Sequence, residues 1–426
     1  MTRDRDLKAK IRARMTRTGE RYAAARARLV GRSSPADWRT QRGAHAETTG
    51  LARLLAAAGV VAPHTGAPPS EALLLGLGGG LGGAYFVFEY KGMPPTFYVA
   101  TRCYPQYAYG AEFVTRAASG LGVTLAAAHT TSKPAAVRQL RERIATGPAL
   151  AWVDRGALPW ATGLGAMGAS PHVVVVSAVD DEAAVVHDTA ARAFRLPHAA
   201  LAAARARLAR EKHRLITVGE LGAPGDLAAT VRAAIASCRA ELAGRTRHKQ
   251  FAGNFGISGL AKWASLVESS DRKGWPRVFA GGAALWSALT WGTYWIELAG
   301  TGGGGFRPLY ARFLDEAAAI TGAARLRDAA AAYRALGGAW SELAGVMLPR
   351  EPGLLAETRD ALDDQVTAYA AGELDAVAGA RARLTGLQAR AASGELDRHA
   401  GALRAELASR LRAIVAQETA AAQLLE

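Results

Sequence analysis

Cysteine is nearly missing from this chain: Cys103 and Cys238 are the two among 426 residues. Two thiols build neither a disulfide framework nor a cysteine-rich metal site, and a chain that dispenses with them suits a reducing cytoplasm. Histidine does not replace them, because the nine imidazoles include no His-Glu-x-x-His and no Cys/His pair at ligand spacing, so no metal is expected. Also missing are a Walker-type phosphate loop and a G-x-S-x-G nucleophile elbow, which argues against those nucleotide-binding and serine-hydrolase types. No apolar segment follows the charged N-terminus, so no signal peptide is expected. The one long apolar run, Val278 to Leu298, is broken by glycines, Thr290, Thr293, Tyr294 and Glu297. It reads as a buried core helix and not as a membrane span.

Acidic residues are scarce relative to basic ones, 37 against 52, which leaves a formal charge of +15. Such a surplus fits nucleic acid, anionic lipid, an acidic protein partner or a merely solvated surface. Aromatics are few, and no stripe interleaves them with basic residues, so specific nucleic-acid recognition has no support. What is plentiful is apolar: half the residues are hydrophobic, enough for more than one ordinary core at this length.

Three regions follow from the pattern. Residues 1–32 alternate basic residues with Leu7, Ile11, Met15, Tyr22 and Leu29, a basic helical arm. Residues 33–217 mix helix and strand signals, and residues 218–426 are helical throughout, beyond a linker at 222–225. In the middle region Leu51, Leu54, Leu55 and Ala58 recur at helical spacing and Gly59 stops them, which predicts a helix over 46–58. Its start lies in Gly43-Ala44-His45-Ala46-Glu47-Thr48-Thr49, and a helix start offers unpaired N–H groups and the positive end of a dipole. Glu47 there acts as a base or simply favours that dipole.

Gly78, Gly80 and Gly83 formally satisfy G-x-G-x-x-G, but an aromatic, strand-favouring run follows where a dinucleotide site needs a helix. The glycines are read as a close backbone approach beside a binding cleft. Helix is expected over 134–145, strand over 149–154, a glycine-rich loop over 155–170 with Trp160 and Met167, and an arginine-rich helix over 199–214. Four further helices start near Leu309, Ala324, Leu354 and Leu374, after a glycine loop at 300–305. Cys103, next to Arg102, is either an activated thiol or inert packing, the commoner fate.

Residues 171–188 carry two β-branched runs around Asp180-Asp181-Glu182, a hairpin. With the turn there, Val179 pairs near Ala183, and His172 falls near Ala190, diagonal to Asp188. Diagonal neighbours on one face meet within side-chain reach, so His172 and Asp188 can form an oriented base pair. The alternative is a histidine capping a strand and an aspartate opening a turn.

Taken in order, His45-Ala46-Glu47-Thr48-Thr49, then Gly76-Leu77-Gly78-Gly79-Gly80-Leu81-Gly82, then His172 before the valines and Asp188 after them resemble the N-terminal domain of the butirosin biosynthesis protein H-like family. Phe255-Gly256-Ile257-Ser258-Gly259-Leu260 and Gly300-Thr301-Gly302-Gly303, with Phe306-Arg307-Pro308-Leu309-Tyr310 after them, resemble the helical domain of unknown function fused to it. The resemblance implies an α+β, papain-like domain followed by an all-α domain. It also implies an acyltransferase that takes an (amino)acyl group from the phosphopantetheine thioester of an acyl or peptidyl carrier protein to a small-molecule or peptide amine. No other cofactor is implied, and a homo-oligomer is compatible with it. Carried over, the nucleophile falls on Ala46, the base on His172 and the orienting group on Asp188. His45, Glu47, Thr48, Gly78, Gly79, Gly80 and Tyr85 would line the substrate site. Alanine cannot form a thioester. It is either a replaced cysteine or a natural variant in which His172 deprotonates the amine for direct attack. The basic arm and the arginine-rich helix would meet the acidic carrier. The competing readings are a non-catalytic binding module and a thioester cyclase or hydrolase.

Overall fold

The computed structural model describes residues 37–89, 91, 95–102, 111–164, 170–244 and 249–426. The basic arm at 1–32, Cys103 and Met167 lie outside the described residues.

Helix α1 (Ala46–Ala57) and helix α2 (Glu71–Gly78) come first, followed by the hairpin β1 (Leu81–Phe88) and β2 (Thr96–Arg102). Next come α3 (Ala111–Ser119), β3 (Val123–Ala128), α4 (Lys133–Ile144), β4 (Ala149–Asp154), β5 (Pro171–Val179), β6 (Ala183–His187), β7 (Ala193–Pro197), α5 (His198–Ala206) and β8 (Leu215–Leu221). Strands β3 to β8 form one antiparallel sheet in the order β3-β8-β4-β5-β6-β7. All later elements are helical: α6 (Leu227–Leu242), α7 (Gly256–Glu268), α8 (Trp275–Val278), α9 (Gly282–Thr293) with a π turn over Tyr294–Leu298, α10 (Arg307–Thr321), α11 (Arg325–Met347), α12 (Leu354–Ala371), α13 (Leu374–Ala391) and α14 (Ala400–Gln423). The architecture is α+β followed by an all-α region. Among the described residues no helix is long and apolar enough to cross a membrane.

The sheet is buried on both faces. Leu150, Trp152, Val173 and Val175 face a core shared with α1, while Ala151, Val153, Val174 and Val176 face a second core under α4 and α5. Each fully buried aliphatic side chain contributes roughly 1.5–3 kcal/mol, so the valine run commits β5 to the middle. Because both its faces are apolar, side-chain alternation cannot choose a register, and the turn does. Asp180 Oδ1 accepts the N–H groups of Glu182 (3.0 Å) and Ala183 (2.9 Å), closing the hairpin.

Several expectations need correction. Val179 pairs with Ala184, not Ala183, because a bulge at Ser177 inserts one residue between the Val176–Val186 and Ala178–Val185 pairs. On the other side of the bulge the pairing is the anticipated one, with Val175 opposite His187. The glycine-rich stretch opens with α2, an all-round apolar helix capped by Ser70, whose Oγ accepts Leu73 N–H at 2.9 Å. The arginine-rich helix stops at Ala206, and Lys212 and His213 adopt left-handed backbone before β8. Two of its arginines are spent internally: Arg205 holds the carbonyls of Ala136 and His213, and Arg207 pairs with the buried Asp154. Strand β8 also runs across the 217/218 division, and α2, β1 and β2 share one core with the later helices.

Candidate active site

The start of α1 is a built polar knot. His45, in extended backbone, caps the helix through Nδ1, which accepts Thr48 N–H at 3.4 Å. Its Nε2 contacts the Glu47 carboxylate, which also receives Arg102 Nη2 at 3.1 Å. Burial pushes the His45 pKa below its ordinary value despite Glu47, so the ring is neutral, with its proton on Nε2. Burial opposes the Glu47 charge, yet His45 and Arg102 hold that carboxyl well below the usual range. Glu47 is therefore a fixed anion at a helix start, a role in which it satisfies the dipole and takes no proton. Glu71 ties the preceding residues down by accepting Ala44 N–H (2.9 Å) and the Thr49 hydroxyl.

Ala46 lies at the first turn with 9% of its surface exposed. One turn on, Gly50 lets the helix lie on the sheet: a Cβ there would sit 3.0 Å from Leu150 and 3.6 Å from Val173. That contact brings the start of the helix near the end of β5 that carries His172.

His172 Nε2 lies 3.0 and 2.9 Å from the two oxygens of Asp188. Asp188 is buried and also accepts Trp160 Nε1–H at 2.9 Å and Thr189 N–H at 2.8 Å. Burial acts to raise its pKa, but His172, Trp160 and the Thr189 amide together bring it below the ordinary value. The carboxylate stays ionised and engages one ring nitrogen, leaving Nδ1 of His172 for other chemistry.

Arg53 joins the two halves of this arrangement. It lies seven residues beyond Ala46, on the same helical stripe through Gly50, and is 2% exposed. Its guanidinium binds the carbonyls of Asp188, Ala190 (2.9 Å), Trp38 (3.1 Å) and Gln41 (2.5 Å). The helical region closes the site from outside. The Tyr369 hydroxyl receives Ala190 N–H at 2.9 Å and bonds the Thr189 hydroxyl at 2.9 Å. Gln365 receives Gly163 N–H at 2.6 Å, and Phe194 stacks on Trp160 at 4.2 Å with Tyr369 beyond it. Over the start of α1, Phe306 meets His45 edge-on at 5.1 Å. A Cβ on Gly300 would lie 3.3 Å from Ala44 O, so that loop's close approach needs glycine.

Not every expected residue is here. His45 and Thr48 are buried capping partners. Gly78, Gly79, Gly80 and Tyr85 are buried in the core between α2, β1 and the later helices, not beside a cleft. A Cβ on Gly80 would meet Cys238 and Tyr310 at 2.8 Å, and one on Gly78 would overlap Phe113. Tyr85 stacks on Trp263 and accepts Trp275 Nε1–H at 3.0 Å. The close approach is real, but what approaches is Phe113 of α3 at Gly78 and the helical region at Gly80. The sequence pattern names Trp160 in its loop and Phe306 in its motif without assigning either to the site, and it passes over Arg53 and Tyr369. Of the last two, only Arg53 left a local trace, as a charge on an otherwise apolar stripe. Among the described residues no His, Cys, Asp and Glu cluster could hold a metal ion.

Residues 45–189 match the family model described as Butirosin biosynthesis protein H, N-terminal. Residues 199–379 match the model described as Domain of unknown function (DUF4872). No curated protein matches the chain. The first match opens one residue before Ala46 and closes one residue after Asp188.

Proposed function

Because the chain belongs to the butirosin biosynthesis protein H-like family, its N-terminal domain followed by the domain of unknown function, we propose that it is a biosynthetic acyltransferase with a papain-like site, moving an acyl or aminoacyl group from a carrier-protein thioester to an amine. The observation that carries this reading is the His172–Asp188 pair, with a buried, ionised carboxylate 2.9 Å from the imidazole and a second donor, Trp160, holding that carboxylate in place.

Alanine at position 46 rules out a covalent acyl-enzyme there, so the transfer runs in one displacement. The amine is held against the thioester carbonyl, and its nitrogen forms the new C–N bond. His172 takes the proton the nitrogen sheds. As the tetrahedral adduct collapses, the C–S bond breaks and the sulfur leaves with that proton. Thioesters are already activated toward amines, so proximity and a base supply much of the barrier reduction. Water or an internal amine as acceptor would turn the same site to hydrolysis or cyclisation.

The test uses an aminoacyl carrier protein with a panel of amines. Amide formation should fall by at least about 10²-fold in His172→Ala, and Ala46→Cys should gain the mass of the acyl group on the new cysteine. Ala46 itself favours a second reading, a domain that binds without turnover. Carrier binding unaffected by His172→Ala, with neither amide nor acylated cysteine from any donor, would decide for that one.

A further inference from the structure

A cavity of about 600 Å³ opens where α3, the end of β3 and the turn before β8 meet. Arg116, His129, Arg210, Lys212 and Arg214 line it, against Glu112 and Glu211. Arg116 hydrogen-bonds Glu112 and Arg214 lies within ion-pair distance of Glu211, each at 3.3 Å, while Glu211 Oε2 is buried without a hydrogen-bond partner. Arg210 and Lys212 have no acidic partner among the described residues. The turn that presents Lys212 is held on both sides. Lys212 and His213 have φ of 49° and 50°, Lys212 O accepts Thr130 N–H at 2.8 Å, and His213 O accepts Arg205 Nη2–H at 2.6 Å. A turn held in this way presents Lys212 and, beside it, Arg210, both exposed to solvent, at the rim of the cavity, and two separated positive groups match the oxygens of a phosphate.

The cavity shares a wall with the candidate active site. Helix α3 lines it with Ala111, Glu112, Thr115 and Arg116, while Phe113 of the same helix lies edge-on to His45 at 6.0 Å. Strand β3 is three places from β5 in the sheet, about 14 Å at roughly 4.8 Å per strand. A small phosphorylated molecule seated in the cavity would end short of His172. An arm four or five residue-lengths long, at about 3.5 Å each, would span the gap.

We propose that this cavity binds a phosphate ester, and that the ester is the phosphodiester end of a carrier protein's pantetheine arm, whose thioester end reaches the start of α1. The assignment rests on the acyl-transfer reading for the arm's identity, but not for the phosphate site itself.

Binding to the full chain is measured by calorimetry with 4′-phosphopantetheine, pantetheine and inorganic phosphate. Phosphopantetheine should bind at least about tenfold tighter than pantetheine, and added salt should shrink that margin. The double variant Arg210→Gln/Lys212→Gln should remove it, and Arg210→Lys should keep most of it. Inorganic phosphate should compete with phosphopantetheine. Equal affinity for the two pantetheines, or a margin untouched by the double variant, overturns the proposal. Binding of inorganic phosphate without binding of phosphopantetheine assigns the cavity to another phosphate source and overturns the arm. These titrations need no turnover. A chain that binds phosphopantetheine through Arg210 and Lys212 yet transfers no acyl group keeps the cavity assignment and loses the transferase.

Discussion

His172 and His187 sit on paired strands of one hairpin under opposite conditions. His172 is braced by a carboxylate, whereas His187 is buried beneath Trp38, with ring centroids 5.1 Å apart, and its Nε2 lies 2.8 Å from Ser177 Oγ. Burial, aided by the nearby Arg53 charge, pushes the His187 pKa down to about 4. In the unfolded chain the ring titrates near its ordinary value of roughly 6.5, so between those two pH values the unfolded state binds the extra proton. Stability contributed by the neutral ring is complete above that window and is lost as pH falls through it, by on the order of 3 kcal/mol. His187→Gln, which keeps a polar partner for Ser177, should therefore lose less stability than the parent between pH 7 and pH 4.5. Urea midpoints at the two pH values measure this, and equal losses would remove His187 as the source of the acid sensitivity.

At the scale of the element, α1 does two things with one stripe. Ala46 opens it, Gly50 meets the sheet, and Arg53 reaches across to the strand end that holds Asp188. Arg53→Met keeps the length and the apolar packing but leaves four carbonyls without their donor. An unsatisfied buried acceptor costs roughly 1–3 kcal/mol, so the variant should lose at least about 3 kcal/mol in urea unfolding. Arg53→Lys should rescue little, because an ammonium cannot reproduce the planar fork. A loss below about 1 kcal/mol would mean that water replaces the guanidinium. The elements themselves were unevenly legible. Helix α1 follows from a run that is apolar in the period of its own geometry, and strand β4 from a short apolar run, buried on both faces, that Asp154 ends. Helix α2 does not, because Leu73-Leu74-Leu75-Gly76-Leu77-Gly78 is buried all round and an all-apolar run has no period to read. The Ser70 cap was its one local mark. The arginine-rich helix was overextended because arginines at 205, 207 and 210 suit a helix by propensity, whereas here burial of Arg205 and the Asp154 partner of Arg207 govern the backbone.

Across the whole molecule, one core joins the strands to the helices. Leu73, Leu75, Leu81 and Tyr85 from the first half pack with Trp263, Tyr310 and Phe313 from the second. The buried Arg307–Glu418 pair also ties α10 to α14 while it holds the carbonyls of Gly82 and Thr101. Residues 37–221 expressed alone should expose those leucines and lose the Tyr369 and Gln365 contacts to the candidate site. We expect aggregation, or a collapsed state without near-UV circular dichroism. A soluble, cooperatively unfolding fragment would show that the sheet half is a domain in its own right.

What the sequence determined by itself is local. The helix start at His45-Ala46 and the hairpin over 171–188 depend on residues close in the chain, where turn chemistry and backbone periodicity act directly, and the meeting of His172 with Asp188, 16 residues apart, is one of two readings the sequence leaves open. The tertiary structure alone decided what surrounds them. Trp160 on the carboxylate, Tyr369 on the Thr189–Ala190 backbone and Phe306 over His45 come from loops and helices with no pattern of their own pointing to the site. It also decided that the glycines at 78–80 serve packing and not substrate. A glycine's freedom to be approached is visible in a sequence, but which group approaches, Phe113 at Gly78 and Cys238 and Tyr310 at Gly80, is set by the tertiary structure.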